Sequence, residues 1–244
     1  HCIIIDAGHL REGEVEEAMA HAKAAGVKLH VIKAEDRFFR ALCGVEDSEL
    51  KRKIFGGLYH AIFLEEVAKF GATHMLQGTL ATDLIESGAT GGAVIKTHHN
   101  VGHDWGALGH LEPLSALFKY EVRALAEELG LPDSVAKREP FPGPGLFLRM
   151  PGAVTRERRD IIRWADTVVR DLVRNHGNAP EISQLVIYLN GINIVGVKGD
   201  QRVYEEMVTV RPVTTIDFMT ASSPIFPPDL MQEIMTAVSR HPKL

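Results

Sequence analysis

An α/β domain with a parallel sheet, followed by a small α+β module of order β-α-β-β-α, is the architecture this 244-residue sequence predicts, and three observations carry it. In the first half, short apolar runs such as Cys2-Ile3-Ile4-Ile5 alternate with stretches of helical periodicity, the pattern of buried parallel strands between covering helices. Beyond about residue 146 a long amphipathic helix is followed by successive β-type runs and one last helix. Between the halves, Arg138 to Leu146 holds three prolines and two glycines, which belong neither in a helix nor in a central strand. Boundaries are therefore expected at 1–137 and 138–244. A chain that is 45% apolar and 24% charged has the material for one large core or two modest ones.

In chain order, Cys2 to Ile5 reads as a strand ending at Asp6-Ala7-Gly8, and an opening within a β-type run leads us to expect that His1 lies inside a domain. Glu12 to Ala25 is helix-forming, with Gly26 placed to close it, and Leu29 to Ile32 is a second strand. Ser48 to Phe70 has helical periodicity, with Leu50, Ile54, Leu58, Ile62 and Val67 near one stripe. On its first turn Lys51, Arg52 and Lys53 read either as a solvated face or as an anion site, since arginine offers a planar fork to phosphate.

Thr73 to Leu80 is a strand-like run ending in Gln77-Gly78-Thr79, with Asp83 and Glu86 behind it. Ligands of open α/β sheets bind beyond the carboxyl ends of strands, which places Gly78, Thr79 and Asp83 toward one. Asp83 reads equally as a ligand of a phosphate-bound Mg²⁺ and as a helix cap. Glycine-rich stretches at 87–92 and 100–106 bracket Lys96, His98 and His99, as in a lid loop. The adjacent histidines would point to opposite faces of an extended segment, which argues against a shared metal. Lys119 to Leu129 is a helix closed by Gly130 and Pro132.

In the second half Leu146 to Met150 reads as a short strand. Thr155 is the N-cap of a helix reaching Asn175, with Ile161, Ala165, Val168 and Leu172 on its stripe and Gly177 as a stop. β-Type runs follow at 182–189, 194–198 and 203–213, the last two joined by a turn at Gly199-Asp200-Gln201, and Asp229 to Ser239 is a helix. Asp200 reads as an ordinary turn residue; Gln184, within a strand, faces either water or a ligand. Such a module leaves a sheet face or edge uncovered, for which a homodimer is a natural solution.

A net charge of −5 and a pI near 6.2 give no general case for nucleic-acid binding. Cys2 and Cys43 are the only cysteines, so neither a disulfide framework nor a zinc site is indicated and a reducing, cytoplasmic setting is expected. No apolar run approaches a membrane span and no leader pattern is present.

Taken together, Arg138-x-Pro140-Phe141-Pro142-Gly143-Pro144-Gly145-Leu146, Lys51-Arg52-Lys53-Ile54, Gln77-Gly78-Thr79-Leu80 with Asp83 to Ser87, Ile95 to Asn100, Val195 to Asp200 and Thr215 to Ala221 resemble, in order, the motifs of the GMP synthetase family. The resemblance implies an adenine-nucleotide α-hydrolase-like ATP-pyrophosphatase domain, followed by a dimerisation domain. The implied reaction is amination of xanthosine monophosphate to GMP: ATP with Mg²⁺ adenylates the purine C2 oxygen, and ammonia from a glutamine amidotransferase domain or subunit displaces AMP. By the same resemblance Arg52, Gln184, Asp200, Pro142 and Gly143 contact the substrate. Lys96, His98 and His99 are catalytic candidates on the lid, Gly78, Thr79 and Asp83 border ATP, and Asp83 serves the metal. The family's SGGVDS loop and KPPATIEWE-like tail fall outside the sequence, Ala7 and Ala81-Thr82 depart from its usual residues, and Glu139 stands where it has histidine. Those departures leave a second reading, a relative that binds a purine nucleotide or dimerises without chemistry.

Overall fold

The structure is a computed structural model describing residues 1–86, 108–136, 138–215 and 220–244. It is mixed α/β with small parallel sheets, and its residues group into two compact units. One joins the opening of the chain, His1–Tyr59, to Phe141–Thr215 and Ala221–Leu244; the other is built chiefly from His60–Pro140.

In the first unit the isoleucine run forms β1 (Cys2–Asp6), which pairs in parallel with β2 (Leu29–Lys33) in the register Cys2↔Leu29 to Asp6↔Lys33. Between them lies α1 (Glu14–Ala24). Gly26, at φ +67°, closes this helix as the sequence suggests: its N–H donates to the Lys23 carbonyl at 3.1 Å, and that of Val27 to Ala22 at 2.8 Å. Next come α2 (Glu35–Ala41) and the opening of α3 (Ser48–Phe70), whose residues from His60 onward belong to the second unit. Lys51, Phe55, Ile62 and Val67 are among the buried positions of α3; Ile62 and Val67 belong to the expected stripe, whereas at the helix start Leu50 is exposed and its neighbour Lys51 is buried instead.

Gly145–Arg149 is a 3-10 helix rather than the expected strand. The N–H of Gly145 donates to the Pro142 carbonyl at 2.8 Å and that of Phe147 to Pro144 at 3.1 Å, so the proline-glycine sequence coils the chain before it can extend. Beyond it run α7 (Arg156–Asn175), β5 (Gln184–Lys198), β6 (Gln201–Val213) and α8 (Pro228–Val238), a 3-10-α-β-β-α order in place of β-α-β-β-α. Thr155 caps α7, its hydroxyl accepting from the Arg158 N–H at 3.1 Å. The β-type runs at 182–189 and 194–198 are one strand with an irregularity between Leu189 and Asn193. There Gly191 takes φ +71°, which relieves the bulge. Phe38, Phe55, Phe147, Met150, Ile162, Leu189 and Leu230 form the core, with ring centroids 4.7 Å apart for Phe38 and Phe55 and 5.3 Å for Phe39 and Phe147.

In the second unit β3 (His74–Leu76) and β4 (Gly109–Leu111) pair in parallel, accompanied by α4 (Ala81–Glu86), α5 (Lys119–Glu128) and α6 (Asp133–Ala136). The strand expected over 73–80 ends at Leu76; residues 77–80 run irregularly to the start of α4, although the Gln77 N–H still donates to the Leu111 carbonyl at 2.9 Å. Gly130, at φ +73°, ends α5 with the N–H of Leu131 on the Ala126 carbonyl at 3.0 Å. No helix among the described residues is long and apolar enough to cross a membrane.

Candidate functional site

The proline-glycine loop is fixed, not free. Gly145 sits at φ +53°, where its N-terminal neighbours bring the chain against the segment that follows β1, and the Leu146 N–H donates to the His9 carbonyl at 2.8 Å. The Arg11 guanidinium lies 3.9 Å from the centroid of Phe141 and, through Nε, 3.2 Å from Asp166 of α7. Asp166 also takes Arg170 Nε at 2.6 Å, and Arg170 Nη2 donates to the Leu185 carbonyl. One relay of charges therefore connects the loop bearing Pro142 and Gly143 to the start of β5, where half-buried Gln184 stands beside Leu185.

The residues after β1 are held from α7 as well. Arg159 Nη1 donates to the Gly8 carbonyl at 3.1 Å, and Arg163 donates to Leu10 at 3.0 Å and to Gly8 at 3.3 Å. Arg158 binds the carbonyls of Pro151 at 2.9 Å and Ala153 at 2.5 Å, and pairs with Glu206. Arg156 pairs with Glu35 and Asp36. Inside this frame His9 is buried against Phe55 and Phe147, and its Nδ1 has no hydrogen-bond partner among the described residues. Burial lowers its pKa from 6.5 to about 4, with Asp6 and Glu14 opposing the shift and Arg163 adding to it.

The three cations at the start of α3 divide. Lys51 is completely buried and donates to the carbonyls of Met150 at 2.7 Å and Gly152 at 2.5 Å. Desolvation, helped by the Arg158 charge, lowers its pKa to about 8. Arg52 is half-buried, without a hydrogen bond or ion pair among the described residues, and Lys53 is exposed. Of the two readings of this cluster, the solvated face describes Lys53, while Arg52 keeps a guanidinium available to an anion.

In the second unit, Gly78 is exposed and Thr79 is not. The Thr79 hydroxyl donates to Glu112 Oε1 at 2.8 Å, tying the segment after β3 to that after β4. Asp83 Oδ2 accepts from the Leu80 N–H at 2.9 Å, the capping role weighed for it. Lys119, at the start of α5, has its pKa lowered by burial and by Arg123, with the Asp83 carboxylate opposing. Among the described residues no group of three or more His, Cys, Asp or Glu is arranged to hold a metal ion. A phosphate-bound Mg²⁺ needs only one or two protein carboxylates, so Asp83 retains a chemistry that suits it.

Gln184 and Asp200 do not come together within one chain. Gln184 opens the 15-residue β5, and exposed Asp200 lies in the two-residue turn beyond its other end. Lys96, His98 and His99 lie outside the described residues. What sequence patterning misses is the burial of Lys51, together with His9, Glu112 and the α7 arginines. Lys51 alone leaves a trace, four residues before Phe55 on the same helix face.

Residues 171–241 match the family described as the GMP synthase C terminal domain. Over 243 residues the chain is 45% identical to the glutamine-hydrolyzing GMP synthase of Bacillus velezensis and 44% identical to that of Bacillus subtilis, covering 97% of this chain and 47% of each relative. The corresponding protein of Acetivibrio thermocellus is 44% identical over 246 residues, with the same coverage. The chain thus spans about half the length of the curated relatives it matches.

Proposed function

We propose that this chain, a relative of the GMP synthases over the stretch it spans, carries the synthetase half of such an enzyme and aminates xanthosine monophosphate to GMP at the expense of ATP. The observation that carries the reading is identity of 44–45% running through 97% of the chain, through both halves and the loop that joins them. In this reading residues 1–137 belong to the adenine-nucleotide α-hydrolase-like ATP-pyrophosphatase domain and 138–244 to the dimerisation domain. ATP with Mg²⁺ converts the purine C2 oxygen into a phosphate ester, so that ammonia from a glutamine amidotransferase domain or subunit can displace AMP.

The residues have definite parts in it. Arg52 is the anion clamp for the nucleotide phosphate, and Pro142 and Gly143 wall its pocket. Gly78, with its open backbone, and Asp83 border the ATP side; Lys96, His98 and His99 act from the lid. Thr79 contributes by shaping its loop, since its hydroxyl is held by Glu112.

Gln184 and Asp200 bear on the assembly. At about 3.3 Å per residue β5 is roughly 45 Å long, several times the length of a purine nucleotide. A nucleotide that touches both residues must therefore draw them from two protomers. An exposed apolar face supports a homodimer: Ile194, Val195, Val197 and Met207 on the hairpin and Met231 and Met235 on α8, several of them around a groove of about 780 Å³. A cytoplasmic location completes the proposal, since the relatives' nucleotide substrates are there to be used.

The test is direct. The full-length protein, given xanthosine monophosphate, ATP, Mg²⁺ and ammonium, should release AMP and pyrophosphate and form GMP. Nucleotide binding without AMP release would favour the inactive relative suggested by Glu139 and Ala7. Mixing Gln184→Ala with Asp200→Ala protein should restore about a quarter of the wild-type activity, because half the dimers are mixed and each of these holds one intact composite site. No restoration would refute the two-protomer site.

A further inference from the structure

We infer that Lys51 is a positioning residue, whose buried amine fixes the roll of the first turns of α3 and so holds the Arg52 guanidinium in the direction from which it meets the nucleotide's anionic group. The inference rests on the reading of Arg52 given above.

Lysine is almost never fully buried, because taking an ammonium out of water costs several kcal/mol that an apolar side chain would not incur. Lys51 is nonetheless inaccessible to solvent, and its amine reaches two acceptors about a hundred residues away, the carbonyls of Met150 and Gly152. Both lie just after the 3-10 helix, where Gly152 at φ +78° turns the chain. A methionine or leucine could fill the same space but could not bind either carbonyl.

One turn further along the same helix face, Phe55 is fixed between Phe38, at 4.7 Å, and His9, at 5.0 Å. Two anchors four residues apart on one face define both the position of a helix and its rotation about its own axis. The helix start is held as well, with the Leu50 N–H on Asp47 Oδ1 at 2.7 Å. Arg52 follows Lys51 by about 100° of rotation. It lies beside the anchored face, half-buried and without a partner among the described residues. Its direction is therefore set by its neighbour's tether. A slip of the helix by a few tens of degrees would move the guanidinium by several ångströms, more than a bidentate contact to phosphate tolerates.

Coupling between the two positions is what distinguishes this role from plain stability. Affinity for xanthosine monophosphate is measured by calorimetry on the full-length protein, in parallel with KM and kcat, for Lys51→Met, Arg52→Ala and the double variant. Arg52→Ala should weaken binding about 10- to 100-fold, the range for loss of a charge-assisted contact. Lys51→Met should weaken it about 5- to 20-fold and raise KM far more than it lowers kcat, yet have less than about a twofold effect once Arg52 is alanine. If Lys51→Met does not fold, Lys51→Gln, which keeps an uncharged donor, is used in the same cycle.

An equal effect of the lysine substitution in both backgrounds, or lost thermal stability with unchanged affinity, would overturn the inference. Unchanged affinity in Arg52→Ala alone would remove the assignment of Arg52, and the inference with it; that outcome is recognised from the single variant.

Discussion

Replacing Gly145 by alanine should destabilise the protein by about 3 kcal/mol, although it adds one methyl group. Three terms contribute. An L-residue held at φ +53° costs about 1 kcal/mol. The new Cβ would stand 2.3 Å from the backbone oxygen of His9 and 2.9 Å from Cε1 of Phe141. The first of these atoms cannot swing aside, so the loop must move, at a further cost of about 1 kcal/mol or more. Moving it stretches the bond from the Leu146 N–H to the same oxygen, now 2.8 Å, worth about 1 kcal/mol net. Urea unfolding followed by circular dichroism should show a lower midpoint at unchanged slope, and the thermal midpoint should fall by about 6–12 °C. Gly57→Ala is the control: it lies within α3, nothing lies within 4 Å of the added Cβ, and it should stabilise by about 0.5–1 kcal/mol. A loss below about 1 kcal/mol for Gly145→Ala would mean that the loop is not seated on His9, and the account of it as a fixed wall would fail.

Two further outcomes follow from buried polar groups. His9 has a folded pKa of about 4 against 6.5, so the unfolded chain takes up its proton first as pH falls; stability is full above about pH 6.5 and declines toward pH 4. His9→Leu should flatten that decline, by up to about 3 kcal/mol at its acid end, in urea midpoints measured between pH 7 and 4.5; parallel curves for variant and wild type would show that another group is responsible. In the second unit, Thr79→Val and Glu112→Ala should each destabilise by about 1–2 kcal/mol and be coupled by about 1 kcal/mol or more in a double-mutant cycle, since the hydroxyl is buried on a carboxylate. Additive losses would deny the contact.

What could be read in the sequence is what local chemistry decides. Gly26 and Gly130 close their helices because nothing else in those windows tolerates a positive φ, and Thr155 caps α7 because its hydroxyl reaches the first free N–H groups. Gly145–Arg149 was not legible: a short run such as Leu146-Phe147-Leu148 has the same appearance whether it extends or coils, and the preceding prolines decided it. At the start of α3 the expected inner position, Leu50, is exposed and Lys51 takes its place, because Lys51 counts as charged in any apolar pattern while in the fold its stem and amine both lie inside. The candidate site divides in the same way. Arg52 could be singled out as a cation on a helix start, but the tether of its neighbour Lys51 to Met150 and Gly152 is a pairing across a hundred residues that no local window contains.

The arginines of α7 that hold the carbonyls of Gly8 and Leu10 also set an order of events during synthesis. Those carbonyls are made well before their donors, Arg159 and Arg163, which follow about 150 residues later. At the usual 5–20 residues per second the segment after β1 waits roughly 8–30 seconds for the groups that fix it. Through that interval the strand pair β1 and β2 can form but the segment after β1 cannot settle, so that segment is a client of whatever keeps nascent chains from sticking until α7 leaves the ribosome.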